Sequence, residues 1–544
     1  MILRILLFST FLCVFLRAQT FEWVDAAPLD LQTNPAYLHS PVALDNSGSP
    51  VSARMINYWG LYGNAYYGDA EIAKRDPSGS SAWKDTIYGK TDVAEIIVDG
   101  QNNPACYGTF IDTLVIKGWQ LVHTGQESGS FVLKLDSNGN VIWLKDGAQY
   151  ITGFGVLTAL AKDGADNIVI GMSNYPEETD VLVLNPGGTQ VSEIVQTNTG
   201  TVSDISVDNS GNIWVTGFTF SAPVSFNGLD TIAPFDYNDY VVKYSPSGTP
   251  LWVDFIQDVT VQFFQLKTDN AGNGYLAGNL LDSTTFGNIH AHGPMWVYDF
   301  FVTKLSPGGT FEWLKELPPG TPGGNLGDAY IGTDNFLSCR GDGQTFLTGV
   351  FRHQCYFGGN VTLTPIDYSD LFLISYDTDG NILWGKSAGG DSYDQGGGVA
   401  ADEYGNCYLT GLVSNNFVFD TLSGTGSTNN LFIAKLNYEA ASDVESGKNI
   451  NPEGFALYQN YPNPFNPTTT ISFSLKTDSK VTLNVYNVLG QEVSSLINNE
   501  MNAGEHSIKF NALSMPSGIY FYKLEAKGTN GSNFSSTKKM MLLK

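Results

Sequence analysis

Positive charge is scarce in this chain. Its 544 residues carry 28 Lys and Arg against 54 Asp and Glu, a net charge of −26. Such a surface repels phosphate backbones and anionic lipid, so nucleic acid is not expected as a partner. Cysteine is scarce too: five residues, of which Cys106, Cys339, Cys355 and Cys407 follow the N-terminal segment. Four thiols are too few for a disulfide scaffold at this length, and neither a Cys-x-x-Cys pair nor a Cys/His zinc spacing occurs. Buried thiols are expected, with a Cys339–Cys355 bridge as the alternative. Apolar runs long enough to span a bilayer are missing, which leaves no transmembrane anchor. Helical apolar spacing with caps is missing as well. What is plentiful is Gly (59) and aromatic residues (13%), with only 15% charged. That balance suits a turn-rich all-β protein.

The opening stretch MILRILLFSTFLCVFLRAQT reads as a secretory signal peptide, residues 1–18. Arg4 supplies the basic end, Ile5 to Leu16 the apolar stretch, and Ala18 a cleavage residue. The mature protein is expected to be exported.

Two phrases then alternate along the chain. The first reads Asp-x-x-Gly-Asn-x-Tyr-x-Thr-Gly and is clearest at DNSGNIWVTG (208–217), DNAGNGYLAG (269–278) and DEYGNCYLTG (402–411). Weaker copies bring it to seven. The second reads Asp-x-Phe-Val-x-Lys, a Gly turn, then Trp, as in DYVVKYSPSGTPLW (239–252) and DFFVTKLSPGGTFEW (299–313). It also occurs seven times. Trp23, Trp83, Trp143, Ser192, Trp252, Trp313 and Trp384 mark its end at spacings of 49 to 71 residues. Each phrase holds two short alternating apolar runs around a turn, a β-hairpin signal. One repeat is therefore four antiparallel strands, and the chain is expected to form a seven-bladed β-propeller over residues 19–436. The repeated lysines (Lys74, Lys134, Lys243, Lys304, Lys435) are expected to lie over aromatic rings.

The last copy, NLFIAKLNYEAAS (430–442), never reaches its Trp, whereas the chain opens on TFEW (20–23) without the first half. Thr20 to Val24 is expected to pair beside Leu431 to Leu436, closing the seventh blade and removing two open edges.

Composition shifts at a polar linker, residues 437–454. Residues 455–544 alternate again, with turns at Asn487–Gly490 and Pro516–Gly518, which suits a small Ig-like β-sandwich. The pieces QNYPNPFNPTTTI, YNVLGQEV, SGIYFYKL and KKMMLLK closely resemble the type A C-terminal sorting domain of the type IX secretion system. The matching residues are Asn463, Pro464, Gly490, Gly518, Tyr520, Lys538 and Lys539. The Ig-like domain of flagellar hook-capping proteins shares the NPFNP start, but it continues with Trp-Asp-Gly where this chain has FNALSMPSG. The resemblance implies the type IX machinery as partner and a secreted or cell-surface location. Residues 20–436 are similar to secreted bacterial β-propeller-repeat proteins, a match of fold with no shared activity.

No Gly-x-Ser-x-Gly elbow, phosphate-binding glycine loop or His-Glu-x-x-His helix occurs, so no catalytic, cofactor-binding or metal residue is assigned. The acid excess leaves a weakly held Ca2+ open; DTDGN (377–381) is similar to part of a calcium loop but lacks the rest of its ligands. His290 and His292 share a strand face without an evident third ligand. The binding candidate is NYWGLYGNAYYGD (57–69), where Tyr58, Trp59, Tyr62, Tyr66 and Tyr67 alternate with Gly in a connection. Such rings suit a sugar or protein ligand; packing between blades is the competing role. HGPMWVYD (292–299) is a second aromatic connection. The favoured function is a monomeric binding or scaffold module. The alternative is a hydrolase or lyase acting on polysaccharide or peptide, which carboxylates or His converging at one mouth of the ring would support.

Overall fold

A computed structural model of the chain describes residues 19–29, 38–62, 65–124, 128–150, 155–174, 178–220, 223–257, 264–293, 299–318, 329–426, 429–438, 455–457, 460, 465, 467–501, 504–512, 515–529 and 532–542. The statements below concern those residues. The leader (1–18), most of the linker (437–454) and the aromatic residues of HGPMWVYD lie outside them. The chain divides into two compact units, Met1–Ala441 and Ser442–Lys544. Both are all-β, with one 3-10 turn at Gly147–Gln149.

The turns follow from the phrases. In DNSGN, Asp208 Oδ1 accepts from the amides of Ser210 (2.9 Å) and Asn212 (3.0 Å), and Oδ2 accepts from the Asn212 side chain (2.9 Å). Gly211 sits at φ +78, where Gly has no steric penalty. In two weaker copies Asn102 (φ 67) and Asp166 (φ 62) hold that position, since Asn and Asp tolerate the left-handed region. The DTDGN carboxylate is used the same way: Asp377 accepts from the amides of Asp379 and Asn381 and from the Asn381 side chain.

Each complete pair of phrases gives four antiparallel strands. Thr201–Val207, Ile213–Phe220, Tyr237–Tyr244 and Pro250–Gln257 form one sheet in that order; Gln265–Thr268, Gly274–Leu280, Asp299–Leu305 and Phe311–Glu316 form another. The long strand Ser81–Val98 pairs Ala65–Arg75 through its first half and Pro104–Ile116 through its second, fusing two such groups into one eight-stranded sheet. First strands meet first strands. Gly155–Lys162 lies against Thr201–Val207, which lies against Gln265–Thr268, and Gln395–Ala401 lies against Val42–Leu44.

The Trp strands take the opposite edge and staple one four-stranded group to the next. Trp23, Trp83, Trp143, Trp252 and Trp313 donate their indole N–H to the carbonyls of Pro77, Ser137, Pro186, Pro307 and Thr378 at 3.0 to 3.1 Å. Each ring covers the turn glycine two residues on, where a Cβ would fall 2.7 to 3.0 Å from the indole. That glycine is thus required both by its φ and by the ring above it. At Ser192 the ring is absent, and Gly248 meets Ile194 instead.

The repeated lysines do more than cover rings. Lys243 lies 4.5 Å from the Trp214 ring and Lys435 6.0 Å from Tyr408. Lys74, Lys134 and Lys243 also ion-pair with Asp45, Asp99 and Asp208, the turn aspartates of their own repeats, at 2.6, 2.9 and 3.0 Å. Burial opposes ionisation of Asp208, but the Asn212 and Lys243 donors hold it below the usual carboxylate range.

Short hairpins cover the outer edges. Val224–Phe226 pairs with the Trp-position strand Gln190–Thr197, Thr284 Oγ1 donates to the Gln257 carbonyl at 3.0 Å, and Val418 bridges to Gly389. Phe226, Phe286, Phe357 and Phe419 on these hairpins are buried. Unpaired edge groups are thereby satisfied.

The N-terminal strand Gln19–Pro28 pairs antiparallel with Asn430–Tyr438, from Gln19↔Tyr438 to Pro28↔Asn430. Phe21 is 4% exposed and meets Phe419 edge-on at 4.9 Å. Glu22 pairs with Lys435 at 2.6 Å. No disulfide forms among the described cysteines; Cys106, Cys355 and Cys407 are buried and Cys339 half-buried.

In the second unit, Ala456–Leu457, Thr468–Leu475 and Gly504–Asn511 form one sheet. Glu492–Met501, Ser479–Asn487, Gly518–Gly528 and Asn533–Leu542 form another in that order. Residues of both line one core, among them Ile471, Phe473, Leu483 and Tyr522.

Candidate functional site

The aromatic stretch 57–69 is not a loose connection. It belongs to a paired ribbon, Pro50–Tyr62 against Ala65–Arg75, with bulges between Met55 and Asn57 and between Tyr58 and Gly60. A Cβ on Gly68 would fall 1.7 Å from the Asn57 carbonyl oxygen, so only Gly allows this approach. Asp69 fixes the ribbon to the neighbouring strand. Its Oδ2 accepts from the Asn57 side chain at 2.9 Å and its Oδ1 from the Gly89 amide at 2.8 Å.

The ribbon sorts the rings. Tyr58 (37%), Trp59 (58%) and Leu61 (53%) are exposed. Tyr66 is buried beside Leu29, Leu38, Met55, Leu412 and Leu431, with Tyr58 at 6.0 Å. Tyr67 is buried, and its hydroxyl accepts from Thr109 Oγ1 at 3.2 Å. The Tyr62 side chain lies outside the described residues. Tyr88, 58% exposed, precedes the Gly89 that Asp69 holds, on the strand next to the ribbon. Sequence reading missed Tyr88, which lies in the connection after Trp83 and outside the aromatic stretch.

A second group lies on the first strands and the segments beside them. Glu95 accepts from the Leu160 amide at 2.8 Å, Asp204 from Leu266 at 2.8 Å, and Gln265 from Leu337 at 2.9 Å. Each side chain ties its strand to the first strand of the following sheet. Asp204 also holds Lys267 at 2.8 Å. His39 pairs with Asp92 at 2.6 Å, and Asp334 accepts from the Ser40 amide at 2.8 Å. The side chains of His39 and Lys267 remain 31% and 25% exposed.

These groups feel one another. Burial, then the charge on Asp204, pushes Glu95 well above the usual carboxylate range. Burial raises Asp334 to about 6 against the pull of His39. Burial alone would lower His39, but Asp92 and then Asp334 overcome it and hold the imidazole at about 9. Burial and the nearby Asp204 thus both favour the neutral form of the Glu95 carboxyl. The signal for this group was present in the sequence. Glu95, Asp204 and Gln265 each stand four residues before the Asp of the first phrase, at Asp99, Asp208 and Asp269.

His290 and His292 face out from one short strand with rings 4.6 Å apart, and His292 reaches Glu316 at 3.3 Å. Among the described residues no group of three or more His, Cys, Asp or Glu is arranged to hold a metal ion.

In the second unit, Gly490 turns at φ +76 and Gly518 at φ +154. Tyr520 is buried, its hydroxyl donating to the Pro516 carbonyl at 2.7 Å. Lys538 and Lys539 lie on the edge strand opposite Tyr522 and Phe521. Asn463 and Pro464 lie outside the described residues.

Residues 459–542 match the family described as Secretion system C-terminal sorting domain. The chain thus carries a type IX sorting domain, which directs its export to a secreted or cell-surface location. No described helix is long and apolar enough to cross a membrane. No curated protein matches the chain. Solved structures with some likeness include a protein of unknown function from Bacteroides caccae (10% identity, 58% of this chain and 89% of that one, TM-score 0.31). Others are a subtype N11 neuraminidase-like protein of an A/flat-faced bat/Peru strain (12%, 63% and 87%, 0.32) and dimeric latent PorU from Porphyromonas gingivalis (10%, 73% and 33%, 0.15). At these TM-scores none carries an argument for this chain.

Proposed function

We propose that the exported chain is a monomeric binding module: a signal peptide (1–18), a seven-bladed β-propeller (19–436), a linker, and an Ig-like sorting domain (455–544). The four-stranded repeats, the Trp staples and the pairing of Gln19–Pro28 with Asn430–Tyr438 support the propeller. Two sheets around one core support the Ig-like reading. The observation that carries the function is the ribbon. It holds Tyr58 and Trp59 exposed on a bulged strand locked by Asp69, and Tyr88 is exposed on the neighbouring strand. Rigid exposed rings stack on sugar faces or fill partner pockets at low entropic cost. The ligand is a glycan or a protein, and Trp59 is its anchor. A glycan array probed with the full chain and with Trp59→Ala tests this: an enriched ligand class whose binding falls about tenfold or more in the variant is expected. Equal binding by the variant refutes it.

A second reading rests on the group around Glu95. A carboxyl with raised proton affinity near a second carboxylate and an imidazole held toward its charged form suits a hydrolase or lyase acting on polysaccharide or peptide. A polysaccharide-hydrolysis screen decides: turnover abolished by Glu95→Gln replaces the binding reading.

A further inference from the structure

The turn Asn487-Val488-Leu489-Gly490-Gln491 is built like the turns of the first unit. Asn487 Oδ1 accepts from the amides of Leu489 and Gln491, both at 3.0 Å, and Gly490 takes the positive φ. The tip positions differ. In the first unit they mostly hold polar or small residues, such as Asn46 and Ser47, Pro77 and Ser78, or Asn209 and Ser210, with Tyr404 (65% exposed) an exception that carries a polar hydroxyl. Here they hold Val488, 65% exposed, and Leu489, 79% exposed. The turn is held by Asn487 and Gly490, so its geometry does not need apolar side chains at the tip.

The exposed apolar residues of the second unit are also clustered. Asn487 pairs with Tyr520, so Val488 and Ile519 (38% exposed) stand side by side at one end of the sheet. Tyr486 pairs with Glu492, which brings Val493 (41%) to the same end. Among the described residues, these four are all of this unit's exposed large hydrophobics. Ile519 pairs with Met541, two residues from the exposed Lys539. A confined apolar cluster on an otherwise polar surface marks a contact site.

We infer that Val488, Leu489, Val493 and Ile519 form the surface by which this sorting domain docks on a protein of the export apparatus, in an apolar pocket with acidic groups toward Lys539. The domain's role is to be read by a secretion system, and this is the apolar feature it offers for reading. A second copy of the chain is the poorer occupant, because two bodies of charge −26 repel.

The test uses the full chain in a bacterium with a type IX apparatus. The double variant Val488→Ser/Leu489→Ser should cut the exported fraction tenfold or more and leave the chain inside the cell envelope. Its melting profile should match the wild type, since Asn487 and Gly490 remain. Ile519→Ser should lower export independently, whereas Val191→Ser, an exposed apolar change in the first unit, should not. A photo-crosslinking residue at position 489 should join the chain to an outer-membrane component of the apparatus. Wild-type export of the double variant overturns the inference, as does a crosslink between two copies or within one chain. If the double variant melts early, the crosslink alone decides.

Discussion

The pairing of the N-terminal strand with residues more than 400 positions later can be tested through Phe21. This ring is 4% exposed, meets Phe419 edge-on at 4.9 Å, and lies in one apolar cluster with Trp384, Phe432 and Leu436. Truncating a buried Phe to Ala costs about 3–5 kcal/mol, the lost transfer energy plus the cavity. The first unit ends at Ala441; at about 2.1 cal/mol/K per residue over its roughly 375 described residues, its unfolding entropy is about 0.8 kcal/mol/K. A loss of about 4 kcal/mol should therefore lower its melting temperature by about 4–5 °C. Glu22 is the internal control. It is adjacent in sequence but 39% exposed, and its ion pair with Lys435 contributes less than about 1 kcal/mol, so Glu22→Ala should shift the melt by about 1 °C. Scanning calorimetry of the full chain and both variants provides the assay. Deleting residues 19–28 should cost more than Phe21→Ala, because it also opens the edge of Asn430–Tyr438. If Phe21→Ala melts within about 1 °C of the wild type, or Glu22→Ala falls as far, the N-terminal strand does not stabilise the sheet it joins and the argument from its pairing fails.

Asp208→Ala removes the acceptor of two turn amides and strands the buried Lys243; a loss of about 3–5 kcal/mol is expected in denaturant unfolding, and a loss under about 1 kcal/mol would count against the turn–lysine coupling. The pH dependence of stability also has a sign. Asp334 and Glu95 bind protons more tightly folded than unfolded, so the stability they add in acid is lost as pH rises from the ordinary carboxylate range, through about 6 for Asp334. His39, raised to about 9, keeps its contribution below 6.5 and loses it as pH climbs toward about 9. The melting temperature should therefore fall from about pH 5 to about pH 9, and Glu95→Gln should flatten the decline; a rising curve contradicts the assignment. Removing residues 459–542 should keep the chain inside the cell envelope on fractionation, and export of the truncated chain would show that another segment carries the address.

What the sequence makes legible and what it hides divide along a physical line. The turns are local. Asp, Gly and Asn within five residues dictate a hairpin wherever they occur, so Asp208 to Asn212 is readable without knowing anything else about the chain. The closing strand was readable for a related reason: TFEW and NLFIAKLNYE are halves of one phrase, and an unfinished sheet leaves unpaired backbone groups. The ribbon and the first-strand group are different. Whether Tyr66 points into the core while Tyr58 points out depends on bulges at Met55/Asn57 and Tyr58/Gly60, and one extra residue reverses every later side chain on a strand. Nothing in the spacing of five aromatic residues announces those bulges. Glu95, Asp204, Asp334 and His39 act on one another only because segments of different sheets are brought together. Their electrostatics are therefore a property of the tertiary arrangement, not of any segment. A polar residue four positions before each turn aspartate hints at a common role, yet bracing a neighbouring strand and shuttling a proton call for the same residue at the same place. Glu95 does the first through Leu160. The raised proton affinity it gains from burial and Asp204 is what leaves it equipped for the second.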